Sequence, residues 1–581
     1  MKHFISAGAL LLLVGVAGYL VASWSEWSGG NERRAEPVQG GVYQVALDSD
    51  PPTLDPAMIT DTKSMACALQ IFDGLVRFHS NSDDSIAPAL AESWSISEDQ
   101  KRYTFNLRTD ARFHAIRFDA SPQPDGKALR VETENKGRLV EARDVKYSFE
   151  RVLDPGMHSP RTTVLETILG AREFMEGRAR SVDGIRILTP QRVEIELVEP
   201  YAPFLATLTM PCGFIVPRED VEADPERFAR APVGSGAFVF QSYEPGKLIR
   251  LRANRSYFDK RPYLDQIEFY IIPDEEVRFS KFLAGELHHS LVPDPHYPVI
   301  KESIRKDPES KWKSLFTEIP ELGVYYFGLN LRVEPFDNLL VRRAFCAAID
   351  KTAICRFLKS ERVDEASSPL PTGLRRWIVT PSDEIILSYK ASRARELLDQ
   401  AGYPADPHSG VRTSLATIPI HIPVSGEHLR IAQAVQANLA DIGVRSHIVA
   451  NPWKDHLKIL KAGKAGFFRL GWIADYKDAD SFLYYNFHSR NINQSNYTGY
   501  ANPEIDRLLE EARRNTDPEF RRDRYKKIDE IILRDAVWVC LFYFKTAIVR
   551  RPEVHGINLT ELGEHMIRFH EVWLEPGAGS S

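Results

Sequence analysis

Apolar and polar residues alternate with the period of a β-strand in several short segments of the chain. Residues 42–47, 103–108 and 192–197 show this alternation, which is typical of half-buried strands. Elsewhere apolar residues recur at helical spacing. One helix is predicted from Leu339 to Leu358 and another from Leu429 to Ile442, each with an apolar stripe on one face. The alternation of strands and helices predicts an α/β fold.

Glycine and proline indicate where several helices begin and end. Gly402 and Gly443 follow apolar helical segments and are predicted to end them, and Gly74 is predicted to do so in a left-handed conformation. Asn502 and Asp517 each precede a proline, the arrangement of a capping residue followed by a first helical turn.

One segment, residues 467–476, combines a predicted buried strand with candidate chemistry. It reads Phe-Phe-Arg-Leu-Gly-Trp-Ile-Ala-Asp-Tyr, so an apolar strand ends in a Gly-Trp pair and a carboxylate. Asp475 at the rim of a pocket could pair with an ammonium group, and Trp472 would supply a flat apolar wall. The alternative is a carboxylate that caps the following helix.

Composition excludes several classes of function. The chain has 581 residues, of which 43% are apolar and 27% are charged, with a net charge of -6, and this gives no reason to expect nucleic acid. The five cysteines lack CxxC spacing, so neither a disulfide framework nor a metal site is predicted, although one disulfide stays open. The cluster of Glu286, His288 and His289 lacks the HExxH pattern and is predicted to be a solvated helix end.

The amino terminus carries a localisation signal. Residues 4–22 are uncharged and mostly apolar, longer than the ~7–15 residues usual for a signal-peptide core and close to the ~20 that span a bilayer. Trp24 and Trp27 follow at an interfacial position. We predict export through the inner membrane, with the segment either cleaved or kept as an anchor, and residues 28–40 as a tether.

Several motifs along the chain together resemble one protein family. They are residues 50–57, 69–76, 86–94, 103–108, 232–238 and 467–476. In this order they resemble family 5 of the bacterial extracellular solute-binding proteins, the peptide class that serves ABC importers. The likeness covers about residues 41 to 575. The chain departs from the family pattern between Ala115 and Val140, an insert that is predicted to form a surface hairpin.

The resemblance implies a two-lobed periplasmic-binding-protein fold of type II, the Venus-flytrap class, with an extra subdomain in the first lobe. The implied domains are an N-terminal signal or anchor with its tether (1–40), lobe I (41–320) with the subdomain (about 76–225), lobe II (321–545) and a return to lobe I (546–581). A ligand would be enclosed between the lobes.

The resemblance also implies a peptide-binding site. Carried over by position, Asp475 would meet the peptide amino terminus, Gly471 and Ile473 would bind its backbone through their main chains, and Trp472 would line a side-chain pocket. Tyr543 is a further candidate because the family places aromatic side chains of that strand near the ligand. No residue for the peptide carboxylate is identified, so peptide length stays open.

The family likeness leaves alternatives for the ligand and the role. The same fold could bind a metal chelate, haem or a sugar, or act as a membrane-tethered sensor. The sequence shows neither a nucleophile paired with a base nor an HExxH pattern, so an enzyme is not predicted. No cofactor is predicted either. The implied partners are a small solute and an ABC permease in the inner membrane, with the protein a periplasmic monomer.

Overall fold

The structure is a computed structural model that describes residues 36–78, 86–119, 129–358, 362–374, 376–377 and 387–576. Residues 4–22, predicted as a signal or anchor, and most of the tether lie outside this part of the chain. Among the residues described, no helix is both long enough and apolar enough to cross a membrane.

Strands are distributed over the whole described chain. They are β1 (Val42–Leu47), β2 (Val76–Phe78), β3 (Ile86–Pro88), β4 (Ala91–Ile96), β5 (Arg102–Leu107), β6 (Ile116–Asp119), β7 (Leu129–Glu132), β8 (Ile185–Thr189), β9 (Arg192–Glu196), β10 (Phe238–Glu244), β11 (Leu248–Ala253), β12 (Gln266–Ile271), β13 (His289–Leu291), β14 (Phe316–Leu329), β15 (Val363–Glu365), β16 (Ile418–Pro423), β17 (Ser446–Asn451), β18 (Phe467–Ile473), β19 (Trp538–Arg550), β20 (Val554–His555) and β21 (Trp573–Leu574).

Helices connect these strands and cover the sheets. They are α1 (Thr62–Ile71), α2 (Ala142–Leu153), α3 (Thr162–Leu165), α4 (Ala171–Met175), α5 (Phe204–Thr207), α6 (Arg218–Ala223), α7 (Pro225–Phe228), α8 (Glu275–Leu283), α9 (Tyr297–Lys306), α10 (Trp312–Leu315), α11 (Leu339–Ala348), α12 (Lys351–Ala353), α13 (Ala391–Gln400), α14 (Gly426–Asp441), α15 (Trp453–Lys461), α16 (Asp480–Phe487), α17 (Pro503–Arg514) and α18 (Pro518–Arg534).

The first lobe contains two four-stranded sheets. One has the order β1-β12-β11-β10, in which β1 and β12 are parallel. The other, β4-β5-β9-β8, belongs to the subdomain and is antiparallel. A hydrophobic cluster packs under each sheet. The predicted α/β class with an extra subdomain in the first lobe is confirmed.

The second lobe is built on a larger sheet with the order β13-β19-β14-β18-β16-β17, to which β15 adds beside β19. Its centre is the antiparallel pair of two long strands, β14 and β19. Helices on both faces bury separate hydrophobic clusters against this sheet. The described residues from Gln39 onward form one compact unit.

After β19 the chain contributes again to the first-lobe core. Val554, Phe569 and Val572 lie in the same cluster as Tyr43 and Ile71. The structure does not fix limits at residues 40, 320 and 545, so the domain boundaries stay a prediction.

Local predictions had mixed outcomes. The insert forms the antiparallel pair β6–β7, as predicted. The single helix from Leu339 to Leu358 is wrong: α11 ends at Ala348, and the Asp350 side chain caps α12 by accepting a hydrogen bond from Ala353 N at 2.8 Å. A carboxylate at a cap position starts a new helix more readily than it continues an old one.

The glycines also divide into two groups. Gly402 and Gly443 follow their helices with φ of 89° and 81°, which agrees with their predicted role. Gly74 does not have a positive φ. A Cβ at Gly74 would lie 3.0 Å from the Gly213 carbonyl oxygen, so close approach of two backbone segments explains this glycine better than handedness.

Candidate functional site

The segment that follows β18 turns sharply into helix α16. Ala474 N donates to Leu322 O at 2.9 Å, and Asp475 N donates to Ser481 Oγ at 3.2 Å. These bonds fix the main chain immediately before the Asp475 side chain, which is 36% exposed. The predicted strand end with a carboxylate beyond it is therefore present.

Near this end, one edge of β18 has no strand partner among the described residues. β18 pairs with β14 from Phe467 to Ile473, but with β16 at Phe467 and Phe468. Main-chain groups of an antiparallel strand point alternately to its two edges. Because Ala474 N donates toward β14, the main-chain groups of Gly471 and Ile473 point to the opposite edge, where β16 no longer pairs.

The side chains of β18 also alternate, and one face carries most of the candidate chemistry. A Cβ at Gly471 would lie 3.8 Å from Arg469 Nη2 and 4.0 Å from Phe544 Cζ. A Cβ at Gly323, which pairs with Ile473, would lie 2.5 Å from Phe544 Cδ2. The Phe544 ring therefore fills the space over Gly323 and reaches Gly471, whereas Ile473 is 52% exposed.

Trp472 and Tyr543 lie on the other face of the sheet. Both belong to the hydrophobic cluster on that side, where the Trp472 ring stacks on Tyr485 at 6.1 Å. The Tyr543 side chain is buried, its hydroxyl donates to Ser368 O at 2.8 Å, and it accepts from Ser368 N at 3.0 Å. The structure therefore does not bring Tyr543 to the face on which Gly471 lies; Phe544 has that position.

Two further carboxylates stabilise the turn from within. The buried Asp478 accepts two hydrogen bonds from Arg521, at 2.8 Å and 2.9 Å. Asp480 is fully buried, accepts from Tyr476 Oη at 2.7 Å and lies 3.0 Å from Arg513 Nε. Burial raises the pKa of Asp480, and the Arg513 charge opposes this shift.

Asp475 meets a cation from the first lobe. Arg161 Nη1 donates to Asp475 Oδ1 at 3.1 Å. Nearby, Tyr476 of the second lobe packs into the hydrophobic cluster of the first-lobe subdomain. The lobes therefore touch next to the predicted ligand-binding carboxylate.

Arg469 forms a second polar feature, on the same face of the sheet as Gly471. Its guanidinium lies 4.2 Å from the centre of the Tyr325 ring, and its Nε is buried without a hydrogen-bond partner in the described structure. The Tyr325 hydroxyl lies 3.4 Å from His428 Nδ1. A buried guanidinium with an unused donor favours binding of an anionic oxygen.

Comparison with known proteins connects this geometry to a family. The model of the bacterial extracellular solute-binding proteins, family 5 Middle, matches residues 85–494, which is more than half of the chain. The chain belongs to this family. The predicted two-lobed type II fold is thereby confirmed.

Relatives of known name match nearly the whole length. Heme-binding protein A of Haemophilus influenzae is 32% identical over 95% of this chain and 97% of its own. The dipeptide-binding protein of Escherichia coli is 28% identical over 93% of this chain and 96% of its own. The structure of the Helicobacter pylori periplasmic binding protein DppA in complex with peptide STSA is 28% identical, with a TM-score of 0.71 over 93% of this chain and 99% of that one.

This family 5 chain also has a cavity of about 280 Å³ at the junction of β1, α1, β13, β14 and β19. Its lining includes seven charged side chains: Asp48, Lys63, Arg278, Glu321, Arg362, Lys545 and Glu564. The five predicted site residues do not line it. Several of its charges are already paired, since Lys63 lies 3.1 Å from Asp48 and Lys545 lies 3.0 Å from Asp364. The β18 end, with its open edge and unused donors, is therefore the better candidate site.

The predicted solvated helix end near Glu286 is wrong for one of its histidines. His289 is buried, with Nδ1 2.8 Å from Tyr43 Oη and Nε2 2.9 Å from Glu564 Oε1. In the described part of the chain no group of three or more His, Cys, Asp or Glu residues is placed to hold a metal ion. All five cysteines are buried and free.

Sequence reasoning assigned no role to Arg161 or Arg469. Arg469 had a readable signal, because it is a charged residue in an otherwise apolar strand and shares the alternation of Gly471 and Ile473. Arg161 had none, since its contact with Asp475 joins residues 314 positions apart.

Proposed function

We propose that this chain is the extracytoplasmic solute-binding component of an ABC importer and binds short peptides between its two lobes. Family 5 membership supports the solute-binding role. The observation that carries the peptide assignment is the exposed Asp475 carboxylate at the end of a strand whose outer edge is open at Gly471 and Ile473.

The open edge of β18 suits a peptide backbone. An extended peptide can add to a strand edge through main-chain hydrogen bonds, which bind any sequence, while its side chains alternate away from the edge. A Cβ at Gly471 would lie 3.2 Å from the Val324 carbonyl oxygen, so glycine suits this close approach of β18 and β14. Trp472 stays a proposed wall of a side-chain pocket, with its indole Nε1 buried and unpaired in the described structure.

Two charges of opposite sign would fix the ends of the peptide. Asp475 would accept the ammonium group and Arg469 would donate to the carboxylate. The Arg469 guanidinium lies beside Gly471, and Asp475 follows the end of the same strand.

Peptides fit this site better than haem, the ligand in the name of one relative. The groups around the β18 end are a carboxylate, a guanidinium and open main-chain donors and acceptors, which suit a zwitterion. Haem presents a large apolar face that an open strand edge would not cover. Sugars and metal chelates lack the ammonium group for which Asp475 is placed.

The assignment can be tested on ligands that travel with the protein. Native mass spectrometry of the gently purified chain, with gas-phase release, should yield short peptides with free amino termini. A single non-peptide ligand would overturn peptide binding and retain the fold.

The role of Asp475 can be tested by substitution. Asp475→Ala should lower peptide affinity at least tenfold in calorimetry, because a buried ammonium would lose its counter-charge. Glu199→Ala, at an exposed carboxylate of the same lobe junction, is the matched control and should retain affinity. Equal affinities for the wild type and Asp475→Ala would refute the role.

We further propose that the protein acts as a monomer outside the cytoplasm and delivers its solute to a permease in the inner membrane. Residues 4–22 would direct export and be either cleaved or retained. The intact mass of protein from a membrane fraction and from a soluble fraction distinguishes these two fates. Uptake that continues without the permease would favour a membrane-tethered sensor.

A further inference from the structure

Arg161 occupies the position next to Asp475 that a ligand cation would need. Its Nη1 lies 3.1 Å from Asp475 Oδ1, a normal charge-assisted hydrogen-bond distance. The two side chains are only partly exposed, at 21% and 36%. A ligand ammonium that reaches this carboxylate therefore meets a guanidinium already bound to it.

The first lobe holds Arg161 in place through main-chain contacts. Arg161 Nε donates to Ile59 O at 3.3 Å, and Arg161 N donates to Ser159 Oγ at 3.2 Å. Ser159 Oγ in turn donates to Ala57 O at 2.6 Å. Among the described residues, the carboxylate within ion-pair distance of Arg161 is Asp475, so its charge is neutralised across the lobe junction.

We propose that Arg161 lowers the affinity of the site for amines, as an internal competitor for Asp475. This inference rests on the proposed function of Asp475 as the amine-binding group. Every ligand amine must displace or share the guanidinium before it gains the full attraction of the carboxylate. Arg161 thus lowers the affinity for all amines by a common factor.

The size of the effect follows from the strength of the internal pair. A partly exposed ion pair shifts an equilibrium by about two- to fivefold, and the apparent affinity of a ligand falls by the fraction of sites that are blocked. Removal of Arg161 should therefore raise the affinity for a free-amine peptide by about two- to fivefold. An N-acetylated peptide has no ammonium and should gain nothing.

The experiment compares matched variants of the full chain by calorimetry. The probes are the tightest binder among alanine peptides of two to five residues and the N-acetylated form of that peptide. The variants are Arg161→Gln, which removes the competitor, and Arg161→Lys, which keeps a cation. Arg514→Gln is the control, because Arg514 pairs with Glu199 at 2.8 Å across the same junction without contacting Asp475.

We expect Arg161→Gln to bind the free-amine peptide more tightly, with Arg161→Lys closer to the wild type and Arg514→Gln unchanged. In an Asp475→Asn background, Arg161→Gln should have no such effect. Lower affinity of Arg161→Gln would show that Arg161 contacts the ligand directly and would overturn the proposal, as would an equal gain for the acetylated peptide. If no peptide binds, or if Asp475→Asn binds as well as the wild type, the proposed function itself fails; if Asp475→Asn alone weakens binding, only the competitor role fails.

Discussion

Asp475 and Asp478 lie in the same turn, yet their surroundings are opposite. The Asp475 side chain is partly exposed and pairs with Arg161 from the other lobe. Asp478 is buried and accepts two hydrogen bonds from Arg521 within its own lobe. The comparison shows how one short segment separates two tasks, because the buried pair holds the turn and leaves the exposed carboxylate available for a partner that comes and goes.

The largest expected effect on stability is at Asp478, the buried carboxylate of the pair. Asp478→Ala leaves the Arg521 guanidinium buried without its carboxylate, which should lower the free energy of unfolding by about 3 to 5 kcal/mol. Urea unfolding followed by circular dichroism measures this. Glu519→Ala, which removes an exposed carboxylate 3.5 Å from Arg522, is the control and should change stability little. A small loss for Asp478→Ala would mean that the turn does not depend on this pair.

Asp529 is a buried carboxylate with no ion pair in the described part of the chain, and it sharpens the comparison. Burial raises the pKa of Asp529 to about 7, with a partly compensating hydrogen bond to Ser368. The unfolded side chain titrates near about pH 4. Between these values the folded state keeps a proton that the unfolded state has released, so the free energy of unfolding should fall as pH rises, by up to about 4 kcal/mol.

Asp529→Asn should remove this part of the pH dependence. Thermal or urea unfolding at several pH values from about 4 to 8 tests it as the difference between variant and wild type. Asp523→Asn, at an exposed position of the same helix α18, should keep the slope of the wild type. Parallel curves for the wild type and Asp529→Asn would contradict the raised pKa.

The smallest effect on stability is expected at Asp475, the partly exposed carboxylate of the pair. Asp475→Asn breaks one partly exposed ion pair, so the free energy of unfolding should change by less than about 1 kcal/mol. The same urea experiment that reports on Asp478 measures it. A loss as large as that of Asp478→Ala would show that Asp475 is mainly structural and would weaken its assignment to a ligand.

The sequence pattern predicted where strands and helices occur better than it predicted on which face of the sheet a side chain lies. β18 was found because its apolar run ends in glycine and a carboxylate. Tyr543 and Phe544 were not distinguished, because a strand that is apolar on both faces has no alternation to read, and a shift of one residue changes the face. The helix at Leu339 was extended too far because its apolar stripe continues through Ile349, where Asp350 then caps a new helix.

Only the part of the candidate site that residues 467–476 contribute was predictable from the sequence. Asp475, Gly471 and Ile473 follow each other in sequence, and the structure places them at an accessible strand end. Arg161 comes from a distant part of the chain, and its approach depends on how the two lobes meet. Local periodicity carries no information on such a contact.

The return of the chain to the first lobe has a consequence for the order of synthesis and folding. Gln70 donates to Ile567 O at 2.8 Å and accepts from Phe569 N at 3.0 Å. The core that begins with the first strand is therefore completed by residues near the C-terminus. Contacts of this sequence separation form late and slowly. While the ribosome is still adding the second lobe, the first lobe lacks part of its own interior, and the nascent chain is kept from reaching its final form until translation is almost finished.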